Sequence, residues 1–164
     1  MLFTHNDGHT YIAHCPDEYN QLEIENVETG TRLKSGEKRN PQDFFISRIQ
    51  ISPSKNYLLS AGWVWHPFEV CEIWNLNELF QDMCFADTSL KKAAKLNDGG
   101  EVISACFVDD DKICMAVMGD GESEFFLLSG ELSPASEILR IDLMDNPGTI
   151  LPVDHSHILS LMNH

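Results

Sequence analysis

Ile46-Ser47-Arg48-Ile49-Gln50-Ile51 alternates apolar and polar positions, the period of a half-buried strand. The cluster Ser52-Pro53-Ser54-Lys55-Asn56 that follows is a turn signal. Tyr57-Leu58-Leu59-Ser60-Ala61-Gly62 is then a short apolar strand expected to stop at its glycine, and Val70-Cys71-Glu72-Ile73-Trp74-Asn75-Leu76 alternates again. Three strands joined by short turns predict an antiparallel meander. One stretch keeps a different period. Leu76, Leu79, Phe80, Met83 and Cys84 fall on one face of a helix, with Asn75 as its cap and Glu78 in the capping-box position.

The strand unit recurs. Ser104 through Gly119 aligns without a gap on Ser47 through Gly62, 57 positions further on, each copy holding a strand, a polar turn with a lysine, a second strand and a glycine. Glu124-Phe125-Phe126-Leu127-Leu128 takes the place of the third strand, and Glu137 to Leu143 that of a fourth. Shorter copies flank this pair. Asn6-Asp7-Gly8 is a hairpin signal ahead of a strand at Thr10 to His14; Gln21 to Val27 follows, and Thr31-Arg32-Leu33 begins another strand. Thr149 to Val153 and His157 to Met162 read as a first and second strand. Ser89 to Leu96 is open between a helix and a fourth strand, and Arg32 to Gln42 reads as the most flexible loop.

Ile51 to Gly62 resembles the first-to-second-strand hairpin of WD40-like β-propeller repeats. Ile73-Trp74-Asn75-Leu76 is similar to the strand that ends in the Trp-Asp pair, with Asn in place of Asp, and Val27-Glu28-Thr29-Gly30 looks like the turn after that strand. The second copy lacks the Trp, and no copy carries the Gly-His pair of the stricter repeats. The resemblance implies an all-β fold of antiparallel four-stranded meander blades in a partial propeller, with a short helical insertion near 75–85. It implies one repeat region over 1–164, with a partial blade at 1–35, blades at 44–96 and 101–143, and a partial blade at 148–164. About three blades are too few for an ordinary ring of four to eight. The expectation is a piece of a longer propeller, a ring completed by a homodimer, or an open structure with wet sheet faces.

Composition narrows the function classes. The chain has 164 residues, 26 acidic against 11 basic, for a formal charge of −15. That balance excludes nucleic acid as the default partner, because such binding is dominated by phosphate neutralisation, and it favours a basic protein partner. No apolar run approaches a membrane span, and Met1 to Asp7 does not read as a signal peptide. The five cysteines form no Cys-x-x-Cys pair; Cys71, Cys106 and Cys114 sit in apolar runs and read as core, which with the missing leader points to a cytoplasmic protein.

Two places offer chemistry. Gly62 to Phe68 places Trp63, Trp65, His66 and Phe68 in what reads as a loop between strands, either a recognition patch or a plug between blades. Asp154, His155 and His157 form the most metal-like cluster, which His5, His9 and His14 could join only if the chain ends meet; it is a weak one because a site needs three or four ligands and polar residues are ordinary at turns. Acidic residues cluster at 109–111, 120–124 and 142–145, and the first two groups read as hairpin tips. Phosphate-loop, nucleophile-elbow and zinc-protease motifs are absent. The leading expectation is a non-enzymatic repeat scaffold that binds protein, with no cofactor. The alternatives are a propeller-type hydrolase or metal enzyme using His155 and His157, and a truncated fragment without a function of its own.

Overall fold

The computed structural model describes residues 1–64, 68–88, 91–93, 101–110, 112–118, 123–129, 137–143, 148–154 and 156–161. Strands dominate, and every pairing between them is antiparallel. The first sheet runs in chain order through β1 (Leu2–Thr4), β2 (Thr10–His14), β3 (Glu23–Asn26) and β4 (Thr31–Arg32). The second holds β5 (Ile49–Ile51), β6 (Tyr57–Val64), β7 (Phe68–Asn75) and β8 (Lys91–Ala93). The third holds β9 (Glu101–Asp109), β10 (Lys112–Met118), β11 (Ser123–Ser129) and β12 (Glu137–Leu143), and the fourth is the pair β13 (Thr149–Asp154) and β14 (His157–Leu161). The N-terminal sheet, expected to be partial, has four strands. The segment left open between helix and strand supplies β8.

Turn chemistry sets the hairpins. Gly8 takes φ +87°, which a side chain resists, and the Asp7 carboxylate accepts the His9 N–H at 2.9 Å. Ser52 uses its hydroxyl to accept the N–H groups of Asn56 and Tyr57, so the Ser-Pro turn satisfies its own backbone. The gapless repeat does not survive in register. Ile49 pairs with Ser60, but their aligned counterparts, Cys106 and Val117, pair with Cys114 and Val102 instead. The cause is turn length. Lys112 pairs directly with Asp109, a tighter turn than the one from Ser52 to Tyr57, so β9 slides against β10. Asp110 is no bare hairpin tip, because its carboxylate accepts the Ser54 N–H from the neighbouring sheet at 2.7 Å.

Strand alternation then stacks the sheets in chain order. On β6 and β7, Leu59, Ala61, Cys71 and Ile73 face the third sheet, where they meet Ala105, Phe107, Ile113 and Met115. Leu58 and Trp74, paired across the same strands, face the first sheet with Tyr11, Ala13 and Ile24. Cys106, Val108, Cys114 and Ala116 point from the third sheet to Ile150 and Ile158 of the fourth. Cys71, Cys106 and Cys114 are thus core residues, as their apolar context suggests. Burial pushes the Cys106 and Cys114 thiols up to about 12, so both stay protonated. The far side of the fourth sheet is different, with Leu151, Val153, Leu159 and Leu161 exposed.

The helical insertion is real and short. Asn75 caps α1 (Leu76–Gln81) by accepting the Asn77 N–H at 2.9 Å, and α2 (Phe85–Thr88) follows after a bend at Asp82. Leu76, Leu79 and Met83 enter the core between the first two sheets, and the Trp74 indole donates to the Ala86 carbonyl. The loop from Arg32 to Gln42, expected to be flexible, is tied to this insertion. Arg39 grips the Asp87 carboxylate with Nε at 2.9 Å and Nη2 at 2.8 Å, donates to the Leu22 carbonyl, and lies 3.5 Å from Glu23. Asp87 also accepts the Asn40 N–H, and Asp82 accepts that of Gly36. Breaking a buried ion pair from one side costs about 3–5 kcal/mol, because the remaining charge is left unpaired. Arg39→Ala is therefore expected to lower the melting temperature by about 10 °C and to open residues 34–42 to protease. A shift within error of wild type would show that the loop is held by other contacts.

Candidate functional site

Three aromatic residues from three separate segments converge at the boundary of the first and second sheets. Tyr19 comes from the loop between β2 and β3, Phe45 from the linker ahead of β5, and Trp63 from β6. Phe45 and Trp63 lie 4.6 Å apart between ring centres and 5° from parallel; Tyr19 and Phe45 lie 4.4 Å and 16° apart. The rings stay 36–41% exposed, so this is a solvent-facing ladder rather than a piece of core. Each offset pair contributes about 0.5–1.5 kcal/mol beyond its buried area.

Backbone geometry explains why Phe45 faces out. Phe44 and Phe45, adjacent in the chain, face opposite ways. Phe44 is buried 6.4 Å from Trp74, anchoring the segment, and Phe45 is turned to the surface. Phe45 then bridges β6, exchanging N–H and carbonyl with Trp63 at 2.8 and 3.3 Å. Gly62 makes this approach possible. A Cβ there would sit 1.9 Å from the Phe45 carbonyl oxygen and 2.8–2.9 Å from the Phe44 ring. The glycine expected to stop the strand instead lies within β6, paired with Val70.

On the first sheet's side, the Tyr19 carbonyl accepts the Ile46 N–H, and Asn20 donates to the Gln42 carbonyl. The Tyr19 hydroxyl donates to the Asp43 carboxylate. That bond, with Asp43 and Glu18 adding negative potential, raises the Tyr19 phenol above its ordinary range. Tyr19, Asp43, Phe45 and Trp63 line a cavity of about 170 Å³. It is smaller than the roughly 300–1,000 Å³ of sites for drug-sized ligands, so it suits a single side chain.

The residues singled out from sequence fare unequally. Trp63 is in the ladder, within a strand and paired with Glu69, not in a loop. Trp65 and His66 lie outside the described residues; Phe68 opens β7 opposite Val64, and its side chain lies outside them. Tyr19, Asp43 and Phe45 are not apparent from sequence, although a Phe-Phe pair ending a polar stretch marks the Asp43–Phe45 segment. At the other cluster, His155 lies outside the described residues. The Asp154 carboxylate closes its own turn, accepting the Ser156 N–H and hydroxyl at 2.8 and 2.9 Å and meeting His157 Nδ1 at 2.9 Å. These bonds hold its carboxyl well below the usual range. Among the described residues, no group of three or more His, Cys, Asp or Glu is placed to hold a metal ion. His5, His9 and His14 have separate neighbours: the Phe80 ring 3.8 Å away, Glu28 at 3.1 Å and Glu25 at 3.5 Å. No described helix is long and apolar enough to cross a membrane.

No protein-family model matches the chain, and no curated protein matches it. The ladder's dependence on Gly62 is directly testable. Gly62→Ala is expected to push the 44–46 segment off β6, costing about 1–3 kcal/mol by overpacking and removing the near-ultraviolet circular dichroism of the stacked rings. An alanine variant with wild-type stability and spectrum would refute the close approach.

Proposed function

We propose that the chain is a non-enzymatic scaffold of WD40-like, β-propeller-type repeats that captures a protein partner, with the Tyr19–Phe45–Trp63 ladder as its docking anchor. The observation that carries this reading is three large rings held parallel and open to solvent at a sheet boundary. Aromatic anchors dominate binding energy at protein interfaces, and rings fixed by strand backbone lose little freedom on binding. Antiparallel meander sheets stacked in chain order support the repeat-scaffold part of the reading. Trp65, His66 and Phe68 join the surface on sequence grounds, as neighbours of Trp63 along the chain. The charge of −15 favours a basic partner.

Affinity capture with the Phe45→Ser, Trp63→Ser double variant tests this. Its bound partners are expected to fall at least tenfold while circular dichroism and melting report an intact fold. A control carrying Val153→Ser and Leu159→Ser, on the exposed face of the fourth sheet, is expected to retain them. Undiminished capture by the ladder variant, or loss only in the control, would overturn the assignment.

A further inference from the structure

We infer that Cys106 and Cys114 form a reversible cross-strand disulfide site, with the fourth sheet as the lid that admits the oxidant, a small-molecule disulfide such as oxidised glutathione. Strand register carries the pairing. Cys106 on β9 stands directly opposite Cys114 on β10, and both lie in one buried cluster with Val108, Ala116 and Ile150. Residues opposed in an antiparallel ladder have α-carbons about 4.5 or 5.5 Å apart, according to their hydrogen-bonding position. Both spacings fall within the roughly 4.4–6.8 Å that a disulfide spans. The bond also draws the β-carbons in to about 3.8 Å, closer than the roughly 4.5–5.5 Å of an ordinary opposed pair. Strain of this kind makes a disulfide easy to reduce, so the pair suits a reversible response instead of a permanent staple. The other thiols have no such partner across a ladder. Cys71 stands opposite Ala61 and Ala93, Cys15 follows β2, and Cys84 lies between the two helices.

Reaction waits on access. The thiolate is the attacking form, and the burial that keeps both thiols protonated also keeps them out of reach. Among the described residues, the layer over them is two strands wide where the other sheets have four. It sets Ile150 and Ile158 on the thiol cluster, and the Ile150 N–H donates to the Ser104 hydroxyl at 3.2 Å. Its other face leaves Leu151, Val153, Leu159 and Leu161 exposed. A two-stranded sheet is marginal by itself, and elements with few buried contacts open without global unfolding. Once the lid lifts, one cysteine thiolate attacks oxidised glutathione, releasing one glutathione thiol and leaving a mixed disulfide. The second cysteine attacks the protein sulfur of that bond and releases the other glutathione. The protein gives up two protons and two electrons, and the oxidant takes them up as two thiols.

The test incubates the native full chain with oxidised glutathione, alkylates the remaining thiols, and maps the digest by mass. Peptides linked through Cys106 and Cys114 are expected, and dithiothreitol is expected to release them. Cys114→Ala is expected to leave Cys106 carrying a glutathione adduct. Oxidation confined to Cys15 and Cys84, a link from Cys106 to Cys71, or a Cys106–Cys114 link that forms only in denaturant would overturn the site. Amide exchange of the untreated chain is expected to be faster in β13 and β14 than in β6 and β10. Ile158→Ala, which thins the lid, is expected to speed the crosslink at least threefold while melting stays cooperative. Should that variant not fold, the exchange measurement decides the lid. Exchange in β13 and β14 as slow as in β10, or an unchanged crosslinking rate in a folded Ile158→Ala, would overturn the lid.

Discussion

Each inner sheet carries apolar side chains on both faces, and this requires a neighbour on each side. Along β6, Leu58 turns to the first sheet and Leu59 to the third; along β10, Met115 turns to the second and Cys114 to the fourth. A period of two residues makes the assignment strict, since a slip of one position would drive every buried group to the opposite face. Stacking in chain order follows, because elements consecutive in the chain pack as neighbours. Burial of Trp74, Phe107 and Met115 between sheets supplies the hydrophobic stabilisation.

The ladder is a consequence of that stacking. Two sheets packed face to face leave a seam, and the chain must cross it between β4 and β5. The crossing is held at one end by Arg39 in its carboxylate pocket and at the other by Phe44 in the shared core. Just past the second anchor, Phe45 is turned out of the seam, where Tyr19 and Trp63 flank it. The site therefore sits on backbone fixed from both sheets. The fourth sheet provides a contrast, because its outer face exposes Leu151, Val153, Leu159 and Leu161, and among its described residues no aromatic stack is present.

Features set by local chemistry are legible in the sequence. The turns at Gly8 and Ser52, the Asn75 cap and the alternation of Leu58, Leu59 and Ile73 depend on residues close together in the chain, and each appears where the pattern puts it. Features set by distant contacts are not. The gapless match of Ser104–Gly119 to Ser47–Gly62 hides a shorter turn and a shifted register. Arg32 to Gln42 is mostly polar, so its anchoring to Asp82 and Asp87 lies beyond any pattern reading. Gly62 looks like a strand stop because the Phe45 carbonyl that requires a glycine there is remote in sequence. Trp63 was singled out for its aromatic neighbours, yet its stacking partners come from two other segments.

Amide hydrogen exchange of the full chain, with and without a captured partner, tests the ladder's role most directly. Protection is expected at residues 18–20, 43–46 and 60–64, the three segments that carry the rings. Protection confined to β13 and β14, with those three segments unchanged, would place docking on the exposed face of the fourth sheet and contradict the account.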